Sequence, residues 1–164
     1  MGWVYIIGGV FVVLGASVFF GAPYVPSHRR DLRQLFDELR PLSEHDVVFD
    51  AGSGDGVVLR EAARHGAKAI GYEINPVYWI ASLLLSRKTK NVSIKLQNFW
   101  TSPFPDDMTV LYVFFVSRDG KKLEARLAKE RARLARTFTV IAYGIPLPTV
   151  APQRSFGAFH IYEF

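Results

Sequence analysis

Cysteine is absent from this sequence of 164 residues. The absence excludes disulfide bonds, thiolate metal ligands and cysteine nucleophiles. Histidine is also scarce, because the chain has only His28, His45, His65 and His160, and these show no paired metal-ligand spacing. The sequence therefore predicts neither a metal site nor catalysis through a thiolate.

Charged residues are missing from residues 2–22, which read GWVYIIGGVFVVLGASVFFGA. A helix of about 20 apolar residues crosses the hydrocarbon core of a bilayer, so we predict a transmembrane anchor over residues 1–22 and one further domain over residues 23–164. Two alternatives stay open. The first is a buried helix, which would leave an apolar cylinder for one small domain to cover. The second is a secretory signal, which would lack a preceding basic residue and the small residues that its cleavage site requires.

Basic residues follow the apolar segment but do not precede it. His28, Arg29 and Arg30 come directly after the linker PYVPS of residues 23–27. This asymmetry predicts that the C-terminal domain lies on the cytoplasmic side, or on the matrix side of a mitochondrial membrane. The formal net charge of +5 favours an anionic partner without choosing among nucleic acid, acidic protein and lipid headgroups.

Strands and helices alternate along the rest of the chain. A first helix carries Leu32, Leu35, Phe36 and Leu39 at helical spacing and ends at Pro41. Strands are predicted over residues 46–50, 68–72, 92–97, 109–116 and 137–143, helices over 57–65, 76–88 and 120–136, and tail strands near 147–151 and 157–163. The alternation predicts an α/β fold in which helices cover both faces of a largely parallel sheet.

The helix predicted over residues 120–136 is strongly basic. Its cations are Lys121, Lys122, Arg126, Lys129, Arg131, Arg133 and Arg136. The ordinary interpretation is a solvated face, and the alternative is a face that lies along anionic headgroups.

Three glycines follow the first predicted strand at every second position. The stretch FDAGSGDG places Gly52, Gly54 and Gly56 between Asp50 and the next helix. Glycine permits the sharp turn and lets a ligand approach the main chain, and open α/β sheets bind ligands beyond the carboxyl ends of their strands. Glu73 ends the second strand, 17 residues after Gly56, where a carboxylate can accept both hydroxyls of a ribose.

The spacing of these glycines distinguishes between two cofactors. A dinucleotide site has G-x-G-x-x-G, with amides and a helix N-terminus that face a pyrophosphate, whereas this chain has G-x-G-x-G. Asp50 and Asp55 place negative charge beside the loop. This charge would repel a pyrophosphate and suits a cationic ligand such as S-adenosylmethionine, which carries a sulfonium and an α-ammonium.

DAGSGDG followed by YEINP resembles the first two cofactor motifs of the class I S-adenosylmethionine-dependent methyltransferases. The resemblance implies a Rossmann-like methyltransferase sheet with helices on both faces, preceded here by the predicted transmembrane helix. It also implies a cofactor site: the methionine portion bound by Asp50, Gly52, Ser53, Gly54, Asp55 and Gly56, the ribose by Glu73, and the adenine by Asn98 and Phe99. A packing role for Phe99 and Trp100 is the alternative, and Asn75-Pro76 reads as an ordinary helix start.

PYVPS, the glycine motif, GYEINP and the NFW stretch together resemble a family of small protein-lysine methyltransferases, over roughly residues 23–117. This family includes the ATP synthase c-subunit and adenine nucleotide translocase lysine methyltransferases and an archaeal broad-specificity lysine methyltransferase. Ser27 departs mildly from it, because threonine is more usual there. The resemblance implies that Tyr24 borders both the cofactor and the channel of the target lysine. Tyr24 also suits a membrane interface. Ser117, after the fourth strand, is a candidate to receive an ammonium proton.

We therefore expect a membrane-anchored enzyme that methylates lysine in membrane or membrane-proximal proteins, with aromatic walls at Tyr24, Phe114 and Phe115. The alternatives are a methyltransferase for a small lipophilic molecule or lipid headgroup, and a cofactor-binding membrane module without activity. Nucleic-acid substrates lose support, because residues 111–117 read LYVFFVS in place of the Asn/Asp-Pro-Pro run that grips a flipped base, and because cytosine C5 methylation needs a cysteine.

Overall fold

The computed structural model describes residues 2–3 and 27–164. Of the predicted transmembrane helix, only residues 2–3 are therefore described. Tyr24 lies outside the described residues. Among the residues that are described, no helix has both the length and the hydropathy of a membrane span.

A single seven-stranded sheet organises the described chain, in the order β3-β2-β1-β4-β5-β7-β6. Its strands are β1 (Val47–Ala51), β2 (Lys68–Glu73), β3 (Val92–Leu96), β4 (Val110–Phe114), β5 (Thr139–Tyr143), β6 (Arg154–Phe156) and β7 (Phe159–Glu163). The first five strands are parallel, and β7 runs antiparallel to β5 and β6. The prediction of a largely parallel sheet is confirmed.

Helices cover both faces of this sheet, as predicted. They are α1 (Arg29–Gln34), which continues as a π-helical turn over Leu35–Leu39, α2 (Val57–Arg64), α3 (Pro76–Ser86) and α4 (Gly120–Leu134). One apolar core packs α1 and α2 against the sheet, and the other packs α4 against the opposite face. Because β1 to β5 run parallel, their carboxyl ends meet at one edge, and this edge carries the glycine loop.

The strand predicted near residues 147–151 is wrong. The chain there makes a proline-rich connection, and the short strand β6 begins only at Arg154. Side chains satisfy the backbone donors of this connection: the Tyr162 hydroxyl accepts from Leu147 N at 2.8 Å, and the Glu124 carboxylate accepts from Thr149 N at 2.7 Å. Because proline cannot donate to a ladder, a central strand is excluded at this point.

Several cations of α4, and Arg136 just after it, contact other parts of the protein. Arg126, Arg133 and Arg136 all donate to backbone carbonyls of the β3–β4 connection. Lys122 lies 4.2 Å from the centroid of the Trp100 ring. These four residues attach the connection to α4, which leaves a smaller exposed cationic face than the sequence indicated.

Asp46 organises the opposite edge of the sheet, just before β1. Its carboxylate accepts from Arg40 Nη2 at 2.9 Å, from Thr109 Oγ1 at 2.9 Å and from Ser43 N at 2.9 Å. Burial raises the pKa of Asp46, but the hydrogen bonds from Ser43 and Thr109 and the charge of Arg40 outweigh burial and lower this pKa overall.

We predict that Asp46→Ala lowers the free energy of unfolding at pH 7 by about 1–3 kcal/mol, because buried donors lose their acceptor. A carboxylate with a lowered folded pKa contributes stability above its unfolded pKa of 3.8, and this contribution is lost as the pH falls through the folded pKa. Urea unfolding at pH 7 and pH 3 should show a smaller penalty at pH 3. An equal penalty at both values would show that ionised Asp46 does not hold this edge.

Candidate functional site

The loop between β1 and α2 is built on glycines in the left-handed region. The φ angles are +92° at Gly52, +52° at Gly54 and +78° at Gly56. A Cβ at Gly56 would lie 2.3 Å from Ser82 Oγ, so glycine is required there for α3 to pack closely. A Cβ at Gly52 would meet no atom within 4 Å, so packing does not explain that glycine. Gly52 therefore leaves the main chain open to a ligand.

The amide groups of this loop are bound by the protein itself. The amides of residues 52 and 53 both donate to the Tyr72 carbonyl, at 2.9 and 3.0 Å. Gly54 N donates to the Glu73 carboxylate at 2.7 Å, and Gly56 N donates within the loop at 2.8 Å. A pyrophosphate cradle needs amides that face the ligand. The hydrogen bonds therefore support the exclusion of a dinucleotide.

Asp50 supplies a buried carboxylate at the end of β1. Its residue surface is only 3% exposed, and none of the described residues donates a hydrogen bond to it. Burial, together with the charges of Glu73 and Asp55, raises the pKa of Asp50 well above its usual value. A buried carboxylate without a partner is unfavourable. A bound cation would remove this penalty, which makes the site electrostatically suited to a positively charged ligand.

Glu73 is also buried, and both of its carboxylate oxygens accept hydrogen bonds from the backbone. One carboxylate oxygen accepts from Gly54 N and the other from Asn75 N, each at 2.7 Å. The carboxylate thus links the glycine loop to the start of α3, where Asn75 caps the helix by accepting from Val77 N at 2.9 Å. Because each carboxylate oxygen has a second lone pair, Glu73 is still able to accept ribose hydroxyls. The helix start predicted at Asn75 is confirmed.

Asp55 and Ser53 hold the loop in place. The Asp55 carboxylate accepts from Val57 N at 3.1 Å and pairs with Arg60 at 3.3 Å. The Ser53 hydroxyl is buried without a hydrogen-bond partner, and a Cβ at Gly71 would lie 2.7 Å from it. The Ser53 side chain therefore packs against β2, and both residues have structural roles that the sequence did not indicate. Their predicted contacts with the cofactor remain predictions.

The segment after β3 forms a compact turn. Asn98 Oδ1 accepts from Trp100 N at 2.9 Å, and the Phe99 and Trp100 rings lie 4.4 Å apart. Both rings pack against the core below α4. Gln97 Oε1 is buried and has no hydrogen-bond partner among the described residues. This acceptor, which the sequence analysis did not select, is a second candidate for the adenine amino group beside Asn98.

Tyr112 on β4 is a further site residue that sequence reasoning missed. It lies next to Asp50 in the strand register and is buried. Its hydroxyl is 2.7 Å from Ser27 Oγ, so it holds Ser27 against the sheet beside the acids. Burial raises the pKa of Tyr112 well above its usual value, which keeps the hydroxyl neutral. An apolar strand gives no signal for such a partner 85 residues away.

The structure separates the residues predicted around the target lysine. Phe115 is buried in the core under α4 and does not line the same face as Tyr112. Phe114 is half-buried, and its ring lies beside Gly144, 3.4 Å from where a Cβ would stand. Ser117 is exposed and begins a short 3₁₀ turn after β4. Tyr24 lies outside the described residues.

These observations fit S-adenosylmethionine better than a phosphate-bearing cofactor. The loop amides are engaged, the open space lies beside Gly52, and the buried carboxyl group of Asp50 has no cationic partner among the described residues. A sulfonium or an α-ammonium would supply the cation that Asp50 lacks, and Glu73 would accept the ribose hydroxyls.

Sequence comparison places the chain among methyltransferases. A family model described as the ANTKMT methyltransferase domain matches residues 50–154. A lysine N-methyltransferase of the ATP synthase c-subunit, from Xenopus laevis, is 32% identical over 93% of this chain and 70% of that protein. Its Homo sapiens counterpart is 30% identical over 82% of this chain, which spans 57% of the human protein. A protein-lysine N-methyltransferase of Saccharolobus islandicus (strain REY15A) is 31% identical over 66% of this chain and 69% of that protein.

Structural comparison agrees on the fold. An RNA methyltransferase from Salinibacter ruber, solved in complex with S-adenosyl-L-homocysteine, superposes with a TM-score of 0.74 over 85% of this chain and 92% of that chain. At 23% identity this similarity concerns the fold alone. The Rossmann-like methyltransferase architecture predicted from the sequence is confirmed.

We predict opposite effects of Asp50→Asn on stability and on binding. A group with a raised folded pKa costs stability as the pH rises through that pKa, so at pH 7 the variant should be more stable than the wild type. Its affinity for S-adenosylmethionine should fall roughly 10-fold or more, because the variant cannot offer a negative charge to the ligand. A 10-fold loss corresponds to about 1.4 kcal/mol of binding free energy. Calorimetric titration and thermal unfolding measure the two effects.

Asp107→Asn is the matched control for this prediction. Hydrogen bonding with Lys68 lowers the pKa of Asp107, which lies outside the site. This variant should lose a little stability and keep its affinity. Unchanged affinity in Asp50→Asn would remove Asp50 from the cofactor site.

Proposed function

Because the chain belongs to the family of ANTKMT methyltransferase domains and is a methyltransferase that uses S-adenosylmethionine, we propose that it methylates the side-chain amine of lysine in a protein substrate. The observation that carries the proposal is the shared chemistry of its relatives, since a vertebrate and an archaeal protein of about 30% identity are both lysine N-methyltransferases. The buried Asp50 carboxylate supports the donor half of the reaction, and Tyr112, its neighbour on β4, supports the acceptor half.

The donor site is built from β1, the loop and β2. S-adenosylmethionine supplies an electrophilic methyl group when it is bound. Asp50 would neutralise the positive charge of the methionine portion, and Glu73 would orient the ribose. The Gly54–Glu73 hydrogen bond fixes the loop against β2 before the ligand arrives. Positioning of this kind supplies much of the acceleration in a two-substrate reaction.

The acceptor site would lie on the face of β4 that carries Tyr112 and Phe114. Tyr112 stacks with Tyr143, with ring centroids 6.2 Å apart. A lysine entering between aromatic rings loses water, and this desolvation lowers its pKa and favours the neutral amine that attacks the methyl group. In-line displacement then requires no general base. We propose Tyr24 as a wall of this channel and Ser117 as a hydrogen-bond partner of the ammonium product at its outer end.

Membrane attachment is a separate part of the proposal. Residues 2–22 contain no charge and end five residues before Ser27. Ser27 contacts Tyr112, which is the neighbour of Asp50 in the sheet. An anchor there would hold the domain close to the bilayer, with the domain on the cytoplasmic or matrix side. The proposed substrates are accordingly membrane or membrane-proximal proteins.

Radiolabelled methyl transfer tests the reaction. The full chain, incubated with labelled S-adenosylmethionine and a membrane-containing lysate, should label protein bands that survive nuclease and lipid extraction, and mass spectrometry should locate the label on lysine. Asp50→Asn should lose this label. Label in the lipid phase would favour methylation of a lipid headgroup or a small lipophilic molecule, and no label at all would favour a binding module.

The Ser27–Tyr112 hydrogen bond generates a second prediction. We expect Tyr112→Phe and Ser27→Ala each to lower kcat about 3- to 10-fold, because Ser27 loses its attachment to β4 beside the site. Since both variants remove one shared interaction, the double variant should be no worse than either single variant. Steady-state kinetics with a peptide that contains the lysine located by mass spectrometry measures these values.

Tyr162→Phe is the control for this cycle. It also removes a buried tyrosine hydroxyl, which accepts from Leu147 N on the opposite face of the sheet. It should cost stability, by about 1 kcal/mol, and leave kcat unchanged. Additive losses in the Ser27 and Tyr112 variants would contradict a shared positioning role.

A further inference from the structure

Helix α3 exposes its apolar side chains and buries its small polar ones. Ser82 and Ser86 are its buried residues, and they pack on α2 near Gly56 and Arg60. Leu84 is two residues from each serine, which is about 200° around the helix axis at roughly 100° per residue, so it lies on the opposite side of the helix. It is 59% exposed. This arrangement is the reverse of the usual helix in a globular domain, which turns its apolar side inward.

The exposed apolar residues form one patch. Ile80, Leu83 and Leu84 follow the i, i+3, i+4 spacing of a single helix face, and Ile80 is 51% exposed. Three further aliphatic residues are exposed, namely Ile74 before the helix, Leu85 on it and Leu96 at the end of β3. A contiguous apolar surface of this kind marks an interaction site.

The helix α3 itself carries no charge, and the charged residues between Ile74 and Pro105 are all positive. Residues 74–105 contain no aspartate or glutamate, while Arg87, Lys88 and Lys90 follow the end of α3 directly. All three are exposed, and none belongs to a salt bridge among the residues that the structure describes. These cations are therefore available to an anionic partner.

We propose that the outer face of α3 lies in the interfacial layer of an anionic lipid bilayer. Its aliphatic residues would enter the boundary between headgroups and acyl chains, and its terminal cations would contact anionic headgroups. A protein partner fits less well, because anchor residues at protein interfaces are enriched in Trp, Tyr and Arg whereas Leu is under-represented. The inference stands on α3 alone and does not require residues 2–22 to span the membrane.

The consequence for the proposed reaction is a constraint on the substrate. The N-terminal end of α3 begins at Asn75, whose amide contacts Glu73 in the candidate site. A bilayer along α3 would therefore lie beside the cofactor site, which would select lysines close to the membrane surface.

The absence of cysteine makes a direct test possible. In the full chain, Leu84→Cys and Ala125→Cys each provide one attachment point for a nitroxide label. Ala125 is exposed on α4, on the opposite face of the sheet, and serves as the matched control. Both labelled proteins are reconstituted into vesicles of phosphatidylcholine with about 30% phosphatidylglycerol, which supplies the anionic surface.

The proposal predicts that the label at position 84 collides with a water-soluble nickel chelate at least threefold less often, and with oxygen more often, than the label at position 125. Combined Arg87→Gln, Lys88→Gln and Lys90→Gln substitutions, or pure phosphatidylcholine, should weaken this difference. Equal accessibility at the two positions would overturn the proposal. Spin–spin broadening at position 84 that disappears on dilution with unlabelled protein would overturn it in favour of a second copy of the chain.

Lysine methylation by the labelled proteins, assayed in detergent, separates this outcome from the proposed function. Methylation that persists while position 84 remains accessible would reject bilayer contact by α3 and leave the methyltransferase assignment intact.

Discussion

The arrangement of the site depends on one unfavourable interaction. The Asp50 carboxylate is buried beside two other acids and receives no hydrogen bond from the described chain. Its neighbours are satisfied, since Glu73 accepts two backbone amides and Asp55 accepts from Val57 N and pairs with Arg60. Such a site costs stability in the free protein and recovers free energy when a cation binds. This asymmetry points to the positively charged portion of S-adenosylmethionine.

The end of β2 supports this site from below. The Tyr72 carbonyl and the Glu73 carboxylate together bind three amides of the glycine loop. Gly71 leaves room for Ser53, and Gly56 leaves room for Ser82 of α3. The loop therefore has its conformation before any ligand binds. Pre-organisation of this kind reduces the entropy that binding must overcome.

Much of the architecture follows from the sequence alone. The alternation of apolar strands with helices predicted each strand and α-helix up to Tyr143, because each buried strand is a short apolar run bounded by turn residues. β6 was misplaced because Pro146, Pro148 and Pro152 interrupt an otherwise apolar tail. The glycine motif and Glu73 predict a cofactor site because their spacing is local, and the structure brings the two together through the Gly54–Glu73 hydrogen bond. The Ser27–Tyr112 contact and the exposure of α3 depend on packing between distant segments, for which the sequence pattern carries no signal.

The central claim is that Asp50 becomes ionised to meet a cationic ligand. Titration calorimetry with S-adenosylmethionine, in buffers of different ionisation enthalpy and at several pH values, measures the protons exchanged on binding. Because the pKa of Asp50 is raised in the free protein and a bound cation would lower it, the account predicts proton release below that raised pKa, and loss of this release in Asp50→Asn. Binding without proton release that depends on Asp50, or tighter binding of a nicotinamide dinucleotide, would contradict it.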